Sequence, residues 1–442
     1  MPRCLPPLAF ALVLSFSALA HADWPQFRGP TGQGVVAAGD APTRWDSEDS
    51  VIWKATIPGK GWSSPVVWAD QVWLTTAIQT EAPAEETSRR TQGIAKAAKL
   101  DMQLAANLSL RAVCVDRTTG ELLKDIELFS TDSADSIHAL NSYASPTPVI
   151  EAGRLYCHFG TYGNACVDTA TGEVLWRRVL PLKHYVGPGS SPVVHGDLMI
   201  LTCDGADQQY VTALDKRTGE TVWKTDRPPI RQKNPDFRKS YCTPIVVEDA
   251  GAAQVLVTGA QWFVAYDAAT GEALWRVDHG PGFSVVPRPV NDGSAVYFST
   301  GYASQEMQAV RLGGSGDVTD SHVLWRSRRQ TPTQASPQLV GDRLYTVSDN
   351  GVGACLDTKT GKPLWQARLG GTYSASPLLS GELVYFFSRE GKTTVVRNAA
   401  SGPQIERTNE IGEAIMATPA VVGGVMYLRA AGSLYAIANG RT

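Results

Sequence analysis

One unit recurs along this chain and constrains its fold more than any other feature. It consists of a Ser-Pro or Thr-Pro, an apolar strand, a glycine turn, a second strand, and then D-x-x-T-G-E-x-L-W. The clearest copies are DTATGEVLW (168–176), DKRTGETVW (215–223), DAATGEALW (267–275) and DTKTGKPLW (357–365), with weaker ones at 116–124 and 398–406. The prolines that open the units are Pro65, Pro148, Pro192, Pro244, Pro289, Pro337, Pro377 and Pro419, so eight units are implied. Separations of 40 to 52 residues fit four-stranded propeller blades. The first separation, 83 residues, implies an insertion at about 79–107 in blade one. The expected architecture is an all-β, eight-bladed β-propeller of four-stranded antiparallel blades.

Each position of the unit has a mechanical reason. The Asp at the end of the third strand can accept hydrogen bonds from backbone N–H groups of the turn, and Gly tolerates the positive φ that a tight hairpin needs. The Trp that follows (Trp176, Trp223, Trp275, Trp325, Trp365) offers a flat surface to the neighbouring blade. A sixth, Trp53, lies in VIWKATI before the first Ser-Pro, whereas the last unit ends at LYAIANG without an outer strand. Residues Val51 to Ile57 can therefore supply the outer strand of blade eight and close the ring, removing exposed edges. Cys114, Cys166 and Cys355 share one repeat position with Ala213 and Ala265, which points to small buried apolar side chains there. No CxxC or CxxCH occurs, so zinc and covalent haem are not expected.

The tandem D-x-x-T-G-x-x-x-W unit resembles the tryptophan-docking repeat of pyrroloquinoline-quinone (PQQ) dehydrogenases and of the BamB outer-membrane assembly factor. The strings WPQFRGPTGQG (24–34), NSYASPTPV (141–149), HFGTYGNACVD (158–168), GPGSSPV (187–193), DFRKSYCTP (236–244), SVVPRPV (284–290) and MATPAVV (416–422) resemble exported bacterial PQQ-binding-like β-propeller repeat proteins. The resemblance covers the whole mature chain and is specific for fold; a shared fold hosts many functions. It implies two roles. One is a binding or scaffold propeller. The other is a quinoprotein oxidoreductase with calcium and PQQ in the central funnel and an Asp as general base, although the adjacent disulfide and the Glu/Asn/Asp calcium set of those enzymes are not placed here.

The N-terminus reads as an export signal over residues 1–22, with Arg3, an apolar run from Leu8 to Leu19, and Ala20-His21-Ala22 as a small-x-small cleavage site. The apolar run is too short for a span of roughly 20 residues, so no transmembrane segment is expected. Cys4 precedes the run and leaves no lipid-attachment cysteine at the new terminus. A periplasmic or secreted protein is expected. The formal charge of -3 at pH 7 gives no reason to expect nucleic acid as a partner.

In an up-and-down blade the A–B and C–D turns share one face. These turns are short here, whereas the long connections (about 79–107, 129–143, 181–190 and 226–241) fall on the opposite face. Loops on a rigid scaffold carry function, so that face is the candidate site. Trp62, Asn141, Tyr143, Arg238, Lys239, Tyr241 and Tyr373 are its expected ligand-binding residues, with Tyr185, Phe283 and Gln334 beside them. The B–C turns add Tyr162, Asp204, Asp207, Gln208, Gln261, Tyr302, Glu306, Asp349, Arg389 and Glu390. Within the insertion, Ile94 to Leu108 is expected to form a helix. Asp204, Gly205 and Asp207 form only a fragment of a calcium loop, and no metal site is assigned. The expectation is a monomeric, non-catalytic binding protein. Its ligand would be an envelope or extracellular peptide, a protein or a small molecule; the oxidoreductase with PQQ and calcium is the alternative.

Overall fold

The ring of eight sheets is seen directly in the computed structural model, which describes residues 23–36, 41–45, 50–98, 101–249 and 251–440. The expected export signal lies outside these residues. The inner strands, in ring order, are Val66–Trp68, Val149–Glu151, Val193–His195, Ile245–Asp249, Val290–Asn291, Gln338–Val340, Leu378–Ser380 and Ala420–Val422. From each of these the chain steps outward through antiparallel partners. No helix among the described residues is long and apolar enough to cross a membrane.

Strand β1 (Val35–Val36) pairs in parallel with the inner strand of blade seven, and strand β2 (Val51–Thr56) is the outer strand of blade eight, antiparallel to Ser433–Ile437. The ring thus closes through its N-terminal strand, as expected. Helix α1 (Ala84–Ala98) fills the insertion of blade one, with Glu85 and Glu86 in its first turn, where acidic residues favour the helix dipole. The helix expected at Ile94 to Leu108 is displaced. Residues Ala105–Asp116 are a strand, and Leu108, Leu110 and Ala112 are buried at alternate positions, a period of two that belongs to a sheet.

The outer strand pair of every blade carries a register shift, which in blade eight falls between Val51 and Trp53. A bulge of this kind bends a strand and re-aims a side chain. The repeat Trp lies directly across from the small residue: Trp176 from Cys166, Trp223 from Ala213, Trp365 from Cys355. Its indole reaches the next blade, where Nε1 of Trp53, Trp176, Trp223, Trp325 and Trp365 donates to the carbonyl just after the repeat Asp or Asn, at 2.7–3.1 Å. Gly219 is required twice over: its φ is +74, and a Cβ there would lie 2.7 Å from the Trp176 ring. Trp275 differs and donates to Gln254 of its own blade, because blade five replaces the tight turn with a longer excursion. That excursion adds Gly316–Asp317 to the edge of blade four. The repeat Asp behaves as expected, with Asp168 accepting from Ala170 N–H and Thr171 N–H. The Thr171 bond, above all, holds its carboxyl below the usual range. All six described cysteines are buried and unpaired.

A second set of contacts runs round the channel. The residue before each opening proline is Ser64, Thr147, Ser191, Thr243, Arg288, Ser336, Ser376 or Thr418. Its backbone N–H donates to the hydroxyl at the same position of the next blade: Ser64 to Thr147, Thr147 to Ser191, Ser191 to Thr243, Arg288 to Ser336, Ser336 to Ser376 and Ser376 to Thr418, all at 2.9–3.0 Å. Arg288 is the one position without a hydroxyl. Its guanidinium instead holds the N-terminal segment, donating to the Phe27 and Gly32 carbonyls. That segment crosses the channel at its Thr-Gly-turn end. Trp24 bridges to Val67, the Pro25 carbonyl accepts from Ile150 N–H, Gln33 Oε1 from Asn291 N–H and the Gly34 carbonyl from Leu379 N–H.

Two outcomes follow for stability. Trp223 is 8% exposed, and Trp223→Ala is expected to cost on the order of 3–5 kcal/mol, read as a lowered denaturation midpoint; an unchanged midpoint would contradict the packing. The closing strand is also tied by Lys54 to Glu413, 2.7 Å away, whose carboxylate accepts from Tyr435 and Ser433 as well. Burial opposes the charge, but these bonds outweigh it and hold Glu413 down at about 2. A carboxyl lowered on folding stabilises above its unfolded pKa and loses that contribution as pH falls through the folded one. Thermal melts should show a loss between about pH 4.3 and pH 2 that Glu413→Gln removes.

Candidate functional site

Because the N-terminal segment stops one end of the channel, the ring encloses a cavity of about 530 Å³ that faces the long connections. Phe27 forms its floor. Ser64, Thr147, Ser191, Thr243, Ser336, Ser376 and Thr418 form its lower wall, most of their hydroxyls already engaged in the blade-to-blade bonds. Higher up, the wall turns apolar and aromatic: Trp62, Leu140, Val186, Phe237, Phe283, Tyr302 and Met416. Phe237 lies 4.6 Å from Phe283 between ring centroids and is 38% exposed, so it presents a free aromatic face at the mouth.

The expected site residues divide. Trp62, Asn141, Lys239 and Tyr241 line the cavity. Asn141 is largely engaged as scaffold, its amide donating to the Val186 and Pro188 carbonyls while its oxygen accepts from Ser142 N–H and Ser145. Tyr241 donates to the His184 carbonyl and packs on that ring. Tyr143, Arg238 and Tyr373 do not line the cavity. Tyr143 is fully buried in the core of blades one and two, and its hydroxyl donates to the Asp135 carbonyl. Tyr373 is fully buried in the core of blades six and seven. Arg238 is half-buried and folds back onto the Gln232 carbonyl. A tyrosine at the start of an inner strand can point between blades as readily as into the channel, and spacing alone does not separate the two.

The charges are few and mostly paired. Lys239, 3% exposed, forms an ion pair with Asp236 at 3.0 Å and sits 5.1 Å over the Tyr185 ring. Burial pushes its ammonium down, against the pull of Asp236. Behind Tyr241, burial and then the charges of His158 and Lys239 push His184 down to about 3, so it stays neutral. Across the mouth Arg389 donates to Ser374 and Gln334, and Gln334 reaches Tyr302 and Asp349. Other polar residues of the B–C turns serve as supports. Asp204 forms a bidentate buried pair with Arg227 and Asp207 accepts from Lys183 N–H, which leaves no calcium loop there. Glu306 pairs with Arg328, and Glu390 with Thr372.

The two faces are also less unequal than expected. The excursion of blade five and the N-terminal segment both lie toward the Thr-Gly-turn face. Their visible signals were the break in the Thr-Gly pattern at 312–322 and Arg288 in place of Ser or Thr. Phe27 and Phe237, floor and mouth of the cavity, carried no periodic signal.

A family model described as outer membrane protein assembly factor BamB matches residues 28–225 and 314–442. The chain is 29% identical over 223 residues to quinohemoprotein alcohol dehydrogenase ADH IIB of Pseudomonas putida, covering 46% of this chain and 28% of that protein. It thus spans little more than a quarter of that relative. Among solved structures, BamB from Moraxella catarrhalis superposes with a TM-score of 0.57 at 14% identity, over 88% of this chain and 99% of that one. A europium-containing methanol dehydrogenase gives 0.62 at 10% identity, over 93% and 90%. These likenesses at low identity describe the fold.

Proposed function

The chain belongs to the family described as outer membrane protein assembly factor BamB, and from that premise we propose that it is an exported binding propeller. It holds an apolar side chain of a polypeptide segment, or a small ligand of the same character, in its central cavity without transforming it. The observation that carries this reading is the cavity itself: stopped at one end by Phe27, aromatic at its open mouth, and walled below by hydroxyls that accept the blade-to-blade bonds of the ring. A buried pocket of this kind, apolar with a few placed polar groups, suits capture.

The quinoprotein relative raises the question of a calcium-bound quinone. Calcium takes 6–8 oxygen ligands with several carboxylates among them. The carboxylate in this wall is Asp236, already paired with Lys239, and no group of three or more His, Cys, Asp or Glu among the described residues is placed to hold a metal ion. This donor set does not match a calcium-bound quinone.

The test uses the purified mature protein and two probes, PQQ with and without calcium and decapeptides carrying one central aromatic residue, with binding followed by isothermal titration calorimetry. The peptides should bind, and Phe237→Ala and Trp62→Ala should each weaken them about tenfold, the loss of a modest anchor, with unchanged melts. Dye-linked alcohol oxidation after reconstitution with PQQ and calcium would overturn the reading.

A further inference from the structure

We propose that the N-terminal plug is a built anion site, in which Arg28 and Arg288 together hold a halide-class ion beneath the floor of the cavity. Both guanidiniums grip the same turn. Arg28 is fully buried, and its Nη2 donates to the Gln33 carbonyl at 3.0 Å and to Gln338 Oε1 at 2.7 Å. Arg288, 3% exposed, donates from Nε to the Pro244 carbonyl at 3.1 Å and from Nη1 to the carbonyls of Phe27 and Gly32 at 2.7 and 3.3 Å. Every acceptor is a neutral carbonyl or carboxamide. The Nε and Nη1 of Arg28 are buried with no partner among the described residues.

This is a costly arrangement for a protein to keep. A guanidinium does not shed its proton readily to escape burial, and an unpaired buried charge costs several kcal/mol. Burial, with the charge of Arg288 added, pushes Arg28 down to about 9; burial takes Arg288 to about 10. Elsewhere the chain supplies a partner: Arg227, equally buried, has both oxygens of Asp204 at 3.0 and 2.7 Å. Arg429, also buried without a carboxylate, leaves no nitrogen both buried and unpartnered. Among the described residues, the plug sets two buried guanidiniums on one turn, and one of them, Arg28, keeps two buried nitrogens without a partner. Water would satisfy the N–H groups and leave the charge uncompensated. The turn is tightly packed, since a Cβ on Gly32 or Gly34 would lie 2.4 Å from Arg288 Nη1 or 2.8 Å from Arg28 Nη2. A monatomic ion suits that space better than a tetrahedral oxyanion.

The direct test is anomalous diffraction from crystals of the intact protein grown in bromide. A peak within hydrogen-bonding reach of Arg28 Nε or Nη1 is expected. In solution, melts at constant ionic strength should rise with the logarithm of chloride concentration when chloride replaces gluconate, as ligand linkage requires, and Arg28→Met should abolish that dependence. If Arg28→Met does not fold, the bromide map on the unaltered protein still decides. Water density at Arg28 with no anomalous signal, or equal melts in chloride and gluconate, would overturn the proposal.

Discussion

The structure depends on a hydrogen bond that passes from blade to blade around the channel, at six of the eight positions, from the N–H of the residue before the opening proline to the next blade's hydroxyl at that position. Proline is the reason the position can do this. It holds its predecessor extended, and its own missing N–H leaves nothing to pair with a neighbour at that level. The predecessor's N–H then points sideways, and a short Ser or Thr hydroxyl is the acceptor that reaches it. Each bond contributes about 0.5–1.5 kcal/mol net, but their joint effect is geometric: they set the inner radius and fix where the cavity wall lies.

At the outer radius the indole bonds do the corresponding job, linking one blade's last strand to the turn of the next. Between the two rings of contacts the blades have little freedom, so the loops at the mouth stand on a rigid base. Arg288 is where the inner ring gives up a hydroxyl acceptor and takes hold of the N-terminal segment. With the bonds of that segment to Val67, Ile150, Asn291 and Leu379, this hold closes one end of the channel with a floor. Function, on this view, was added at the position where the repeat departs from itself.

The fold was legible because a repeat states its own geometry many times: Asp, Gly and Trp at fixed offsets, and VIWKATI as the missing outer strand, needed no tertiary information. Part of the cavity wall was legible too, since Trp62, Asn141, Lys239 and Tyr241 line it where the long connections meet the inner strands. Tyr143 and Tyr373 misled because their rotamers, which spacing does not fix, turn them into inter-blade cores. The floor was illegible for a different reason. Phe27 sits outside the repeats; its carbonyl is held by Arg288, and its neighbour Arg28 by Gln338, about 260 and 310 residues away along the chain. The expected helix was misplaced because Leu104 and Leu108, four apart, suit a helical stripe, and the alternation of Leu108, Leu110 and Ala112 marks a strand only once the long ladder with Gln71–Glu81 is seen.

The central claim, that Arg288 holds the floor while the hydroxyl ring holds the blades, is tested most directly by native-state hydrogen exchange on Arg288→Thr, which restores the repeat residue. The amides of Trp24 and Gly34, bonded to the Val67 and Arg28 carbonyls, should lose protection together with Val67. The amides of the blade cores should keep theirs. If Trp24 and Gly34 remain as protected as in the unaltered protein, the floor is held by something other than Arg288 and the account is wrong.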